Sequence, residues 1–366
     1  MLKRYIRKNV YKWHRWSSLI VAIPVLLWTV SGFLYPILNS KPNVPAANLS
    51  PVTIDREKIT VSLQQALVMN HLDSIGNFRI VQIKAGFYYQ VEQPGKKELL
   101  YIDCRSGSIL PGGDQLYAIW LAHRMMTEKA SGGHNDHTSH GQNSELHFAS
   151  ESKLLERSFT PVLSVNRITS FNKEYKASQR ILPVYKIDLD REDNLRLYID
   201  TRTSRLSVSV DDKKAWFDWF FGVTHTWSFL DGIGKLKHVV LGIFSAFCLF
   251  TAISGLYVYL VIRKKKPGSK QKKNISVYTH RILGYTVLLT TALYGFSGAW
   301  HAFRKVVPAN TIRKNLERSF SSADLALSLD AVNSGIRRGE KLADISVVQL
   351  NDKIYWQITC CGKNNV

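Results

Sequence analysis

Cysteine and acidic residues are both scarce in this chain. Its 366 residues include 4 cysteines and 28 Asp or Glu, against 49 Lys or Arg. The cysteines, Cys104, Cys248, Cys360 and Cys361, do not form the even spacing pattern of a disulfide framework. The sequence also has no Cys-x-x-Cys-His motif, which excludes covalent haem of the c type.

Motifs for nucleotide binding and for hydrolysis are missing as well. The sequence contains no Gly-x-Gly-x-x-Gly after a strand, no P-loop, no Gly-x-Ser-x-Gly and no His-Glu-x-x-His. The chain therefore has no motif for a nucleotide cofactor of its own. If it carries out redox chemistry, its electrons must come from a separate donor, such as a quinol or a reductase.

The net charge of +21 is concentrated in two short segments that contain no acid. Residues 1–16 carry six Lys or Arg, and residues 263–281 carry eight. Each segment flanks an apolar block, where the positive-inside rule places basic residues on the cytoplasmic side. The charge therefore predicts membrane topology, and no nucleic-acid partner is needed to explain it.

Three apolar blocks are long enough to cross a membrane, which takes roughly 20 residues for about 30 Å of hydrocarbon. They cover residues 17–38, 239–262 and 282–303 and contain no Asp, Glu, Lys or Arg. The chain is predicted to start in the cytoplasm with residues 1–16 and to cross outward through a first span at 17–38 into an extracytoplasmic α+β domain at 39–237. A second span at 238–262 then returns to a basic cytoplasmic loop at 263–280. A third span at 281–304 leads outward again to a second extracytoplasmic module at 305–366.

An internal repeat relates the first and third spans. One begins at His14 and reaches Ser31-Gly32, the other begins at His280 and reaches Ser297-Gly298, and seventeen residues separate His from Ser in both. The second span carries a related Ser254-Gly255. Such pairs allow close approach by a neighbouring helix or a flat ligand.

The repeat extends beyond the spans. A short amphipathic helix is predicted at 62–67 and at 322–327, and alternating strands are predicted at 88–91 and at 355–358. The first copy continues into a strand at 98–103, which the second copy lacks. We therefore expect a membrane helical bundle with three spans here and four in a complete chain. Residues 181–210 alternate as a further set of strands.

Histidines near both membrane faces are the candidate ligand set. A histidine within or beside a span is costly without a partner, and imidazole is a common axial ligand of haem iron. His14 and His280 lie at the cytoplasmic ends of their spans and predict an inner site. His301, paired either with His225 or with His238, predicts an outer site. The alternative is that these histidines only cap helices or meet lipid headgroups.

A second histidine cluster lies in the loop at 133–140. His134, His137 and His140 are candidate metal ligands, because short histidine-rich tracts bind transition metals. The surrounding Gly, Ser and Asn favour the alternative, a polar loop without a bound metal.

These features together resemble the PepSY-associated transmembrane family. The resemblance is carried by His14-Arg15 before the first span, Thr224-His225-Thr226-Trp227 before the second, His280-Arg281-Ile282-Leu283-Gly284 at the third, and PepSY-like modules at 60–110 and 320–360. It covers nearly the whole chain. The chain departs from the family pattern in lacking the usual fourth span and in its short last module.

The resemblance implies a function in iron uptake. Some members resemble inner-membrane reductases that carry b-type haems and release iron from ferric siderophores in the periplasm. It implies His14, His225, His280 and His301 as ligands of two haems, a membrane or cytoplasmic electron donor, and a ferric chelate as the acceptor. It also implies the bacterial inner membrane as the location. A homodimer is left open.

The alternative function is not enzymatic. In that interpretation the PepSY-like modules bind, inhibit or regulate a partner, and the spans only anchor them. The histidines would then tolerate substitution, and no haem would purify with the protein.

Overall fold

Helices form most of the regular structure. In a computed structural model, the described residues are 2–39, 42, 44–128, 161–262, 275–307, 319–321, 325, 341–350 and 353–361. Within them the α-helices are α1 Leu2–Leu38, α2 Leu63–Met69, α3 Gly113–Thr127, α4 Asp212–Thr224, α5 Lys235–Tyr257 and α6 Ile275–Val306. A π-helical turn, Val258–Ile262, follows α5.

The strands of the described residues are short and antiparallel. They are β1 Ser74–Ile75, β2 Asn77–Ile83, β3 Gly86–Glu92, β4 Leu99–Asp103, β5 Val162–Ile168, β6 Val184–Leu189, β7 Arg196–Asp200, β8 Arg205–Val210, β9 Phe320–Ser321, β10 Lys341–Leu350 and β11 Lys353–Cys361. They pair in the orders β1-β9, β10-β11, β2-β3-β4 and β5-β6-β7-β8.

The chain divides into two compact units. The helical unit comprises Met1–Ser40 and Trp216–Arg313, and the sheet unit comprises Lys41–Ala215 and Lys314–Val366. The sheet unit is therefore built from two separate parts of the chain. This agrees with the predicted class, a membrane helical bundle with an α+β region.

Three helices of the described residues are long and apolar enough to cross a membrane, as predicted. They are Arg4–Leu38, Lys235–Val261 and Ile275–Val306. The first begins well before residue 17, where the apolar block starts. Its N-terminal turns contain Lys and Arg, which are good helix formers, so the helix continues past the apolar stretch.

Small residues allow α5 and α6 to approach closely. A Cβ added at Gly295 of α6 would lie 2.9 Å from the backbone nitrogen of Leu249 in α5. A Cβ at Gly242 would lie 3.2 Å from Ala302 Cβ, and one at Gly298 would lie 2.8 Å from Ser245 Oγ. Lipid tails are as apolar as the helix surfaces, so the hydrophobic effect does not drive helices together within the membrane. Close packing of this kind is therefore a main source of helix association.

The first part of the sheet unit follows the predicted pattern. Ser62 caps α2 through a capping box with Gln65, and the apolar face of α2 is buried against β2, β3 and β4. The strands predicted at 88–91 and 98–103 correspond to β3 and β4. In the sheet β5-β6-β7-β8, the strands β6, β7 and β8 correspond to those predicted within 181–210.

The hairpin β10-β11 shares its core with the sheet β2-β3-β4. Leu342 and Ile345 are 2% exposed and belong to the cluster that also contains Phe78 of β2. The Trp356 ring meets the Phe78 ring edge-on at 5.5 Å. This hairpin contains the strand predicted at 355–358, whereas most of the helix predicted at 322–327 lies outside the described residues.

Candidate functional site

His14 of α1 and His280 of α6 lie side by side in the helical unit. Their ring centroids are 6.3 Å apart, and the ring planes are tilted by 52°. His14 is half-buried, whereas His280 is exposed at the surface of its helix. The two residues are equivalent in the sequence repeat, so the fold brings the repeated His-Arg positions together.

The His14 ring is held by α5. Its Nδ1 lies 3.2 Å from the Thr251 carbonyl oxygen and 3.3 Å from Ser254 Oγ. A carbonyl oxygen only accepts hydrogen bonds, so the His14 Nδ1 carries the proton that it donates. In the neutral ring the other nitrogen, Nε2, then keeps its lone pair and is able to bind a metal.

Gly255 provides the space for this ring. A Cβ at Gly255 would lie 2.9 Å from Cε1 of His14 and 3.4 Å from its Nδ1. Any residue larger than glycine would therefore displace the imidazole.

His225, just after α4, is held in a similar way by α1. Its Nδ1 lies 3.0 Å from Ser31 Oγ, and its backbone oxygen accepts a 3.0 Å hydrogen bond from Trp28 Nε1. Phe221 stacks on the imidazole with ring centroids 4.4 Å apart. Burial lowers the pKa of His225, against the opposing effect of a hydrogen bond with the Trp28 backbone.

His238 of α5 and His301 of α6 form a looser group. His238 lies one helical turn before Gly242 and His301 is next to Ala302, and these two positions are where α5 and α6 pack together. His301 is exposed and His238 is half-buried. Along the continuous helix α6, His301 is 21 residues from His280, or about 31 Å at the helical rise.

The remaining candidate metal site is not part of the described structure. His134, His137 and His140 lie outside the described residues. Within the part of the chain that is described, no group of three or more His, Cys, Asp or Glu side chains is arranged to hold a metal ion.

The chain has a counterpart among protein families. The family model described as PepSY-associated TM region matches residues 11–335, which is most of the chain. The chain belongs to the PepSY-associated transmembrane family. No curated protein and no solved structure matches it.

His14 and His280 of this PepSY-associated protein have the donor chemistry that a haem iron takes, since imidazole is a common ligand of it. Their ring centroids are 6.3 Å apart, close enough for both imidazoles to bind one metal, because an imidazole nitrogen binds a metal at about 2.0 Å. The porphyrin itself supplies the other ligands, so a third protein ligand is not required.

Sequence reasoning identified the histidines but not the groups that hold them. Ser31, Thr251 and Ser254 contact the rings across 194 to 240 residues of chain. The available signal was the Ser-Gly pair in the later half of each span, to which the sequence assigned only close helix or ligand packing. The third pair, Ser297-Gly298, does pack against α5 in that way.

Proposed function

We propose that this PepSY-associated transmembrane protein is a b-type haem protein that moves electrons across a membrane and reduces a ferric chelate. The observation that carries the proposal is the pair of His14 and His280, whose rings are 6.3 Å apart, with the His14 proton directed to the Thr251 carbonyl. This arrangement leaves Nε2 of His14 as a metal ligand and supports the inner site.

The outer site takes its ligands from His225, His301 and His238. His225 has the more strongly fixed ring, because Ser31 and Phe221 both hold it. His238 and His301 lie on neighbouring helices close to the contact between Gly242 and Ala302, which supports them as the other source of ligands.

A bound haem supplies one-electron chemistry at its iron. The protein holds the half-buried rings of His14 and His225 by hydrogen bonds to Nδ1, which leaves Nε2 of each for the metal. With a quinol as the donor, one quinol loses two electrons and two protons and becomes a quinone. Two ferric chelates each take one electron and become ferrous, so electrons and charge balance.

The proposed orientation places the N-terminus in the bacterial cytoplasm and the sheet unit in the periplasm. It is supported by the six basic residues within 1–16 and the eight within 263–281, neither accompanied by an acid. In this orientation the ferric chelate would be reduced to ferrous iron on the periplasmic side during iron uptake.

The test is a reduced-minus-oxidised visible spectrum of the purified protein, expressed with adequate haem supply. We expect a Soret band and b-type α bands in the wild type, with loss of part of the haem in His280→Ala. The matched control is His71→Asn, which changes an exposed histidine of the sheet unit in a left-handed backbone conformation that Asn tolerates.

Two results would refute the proposal. One is a wild-type protein that lacks these bands. The other is His280→Ala with full haem content and full reduction of a ferric chelate on the far side of proteoliposomes. Either would favour the non-enzymatic interpretation, in which the spans anchor a PepSY binding module.

A further inference from the structure

In two of the three Ser-Gly pairs, the serine hydroxyl contacts Nδ1 of one histidine ring. Ser254 Oγ lies 3.3 Å from Nδ1 of His14, and Gly255 lies under the same ring. In the other pair, Ser31 Oγ lies 3.0 Å from Nδ1 of His225, and a Cβ added at Gly32 would make an ordinary contact of 3.9 Å with Cε1 of that ring. Helix α1 thus supplies His14 to the serine of α5 and supplies its own serine to His225.

Hydrogen-bond geometry at Ser31 decides which ring nitrogen of His225 is protonated. Ser31 Oγ lies 2.6 Å from the Leu27 carbonyl oxygen, a distance that requires the hydroxyl hydrogen between the two oxygens. A serine hydroxyl has one hydrogen, so toward His225 its oxygen acts as the acceptor. The proton of the neutral His225 ring is therefore on Nδ1.

The same assignment holds at His14 for an independent reason. Its Nδ1 faces the Thr251 carbonyl, which cannot donate, and Ser254 Oγ donates its own hydrogen to that carbonyl at 3.1 Å. Both acceptors near Nδ1 thus favour a protonated Nδ1. Two histidines from different parts of the chain end in the same tautomer.

We infer that Ser31, Ser254 and Gly255 are positioning residues that set the ring placement and the Nδ1–H tautomer of His225 and His14, leaving Nε2 of each as the metal-binding nitrogen. Each serine provides an acceptor for the Nδ1 proton of one ring, and Gly255 provides the space beside the His14 ring. The consequence for haem binding rests on the proposed function, whereas the tautomer is a property of the protein itself.

The chain contains its own matched controls. Ser297 is in the third pair, but its hydroxyl donates to the Tyr294 carbonyl and Gly298 packs against Ser245 of α5. Gly284 is in α6 with nothing within 4 Å of an added Cβ. Ser297→Ala and Gly284→Ala therefore repeat the test substitutions at positions that hold no histidine.

The first readout needs no haem. Protein labelled with ¹⁵N in the histidine rings is studied by NMR in its haem-free form, with His14 and His225 assigned by His→Gln variants. We expect both rings in the Nδ1–H tautomer. Ser31→Ala should move His225 toward the Nε2–H tautomer that free histidine prefers, and Gly255→Ala should shift the His14 signals. Ser297→Ala and Gly284→Ala should leave both unchanged.

The second readout is titration of the haem-free protein with ferric haem, followed at the Soret band. Loss of a group that orients a metal-bound histidine typically lowers affinity about 10–100-fold. We expect a loss of that size in Ser31→Ala and Gly255→Ala, and wild-type affinity in the two controls.

The outcomes separate the two proposals. If the wild type binds no haem, the proposed function fails, and the NMR tautomers alone decide the positioning role. If the wild type binds haem but both variants keep wild-type tautomers and affinity, the positioning role is overturned and the proposed function stands. Nε2–H tautomers in the wild type would also overturn the positioning role.

Discussion

Replacing Gly295 with alanine tests the close approach of α5 and α6. An added Cβ would lie 2.9 Å from the Leu249 backbone nitrogen and 3.2 Å from both its Cα and its Cβ. Two of these three atoms belong to the backbone of a packed helix, so no side-chain rotation relieves the contact. The helices must separate or rotate instead.

The size of the effect follows from comparing two glycines of the same helix. Gly→Ala in a helix interior gains about 1 kcal/mol of helix propensity at either position. At Gly295 the overpacking costs about 1–3 kcal/mol, whereas Gly284 has open space beside it. The propensity gain is the same in both variants, so it cancels when their free energies of unfolding are compared with each other. We therefore expect Gly295→Ala to be less stable than Gly284→Ala by about 1–3 kcal/mol.

The assay is equilibrium unfolding of both variants in mixed micelles with increasing SDS, followed by tryptophan fluorescence. Gly284→Ala should unfold at or above the wild-type midpoint, and Gly295→Ala should unfold at a lower SDS fraction. Equal midpoints for the two variants would contradict the steric argument, because they would mean that the helices accommodate the methyl group without loss.

Three further predictions concern the sheet unit. Burial raises the pKa of the Cys104 thiol, which is fully buried, so N-ethylmaleimide should leave Cys104 unmodified in the native protein and label it after denaturation, as measured by mass spectrometry. Tyr101→Phe removes a 2.9 Å hydrogen bond to the Asp114 carboxylate and should cost about 1.5–3 kcal/mol in urea unfolding; an unchanged midpoint would mean that the bond contributes nothing. Ser62→Ala removes the N-cap of α2 and should cost about 1 kcal/mol in the same titration, while Ser62→Thr should keep most of the stability.

Local patterns in the sequence were sufficient for the elements themselves. Long apolar blocks predicted three spanning helices, because a helix is the structure that satisfies its own backbone in lipid. Alternation of apolar residues predicted β3, β4 and the strands β6 to β8, because neighbouring residues of a strand face opposite sides. The matched positions of His14 and His280 in the repeat indicated a pair, and their rings are 6.3 Å apart.

The surroundings of the histidines required the tertiary structure. Which residue of α5 meets His14 depends on the rotation and axial position of the helices, which packing decides and periodicity does not. The three Ser-Gly pairs are alike in sequence, yet two hold a histidine and the third packs against Ser245.

The core of the sheet unit also required the tertiary structure. The sequence predicts a second module at 305–366, with its PepSY-like part at 320–360, but Leu342 and Ile345 are buried in the same cluster as Phe78. Hydrophobic burial is not directional, so an apolar strand face indicates that it will be covered without specifying by what. The sequence by itself therefore determined the spans, the strands and the candidate histidines. The fold decided which side chains hold those histidines, because contacts across some 200 residues leave no local pattern.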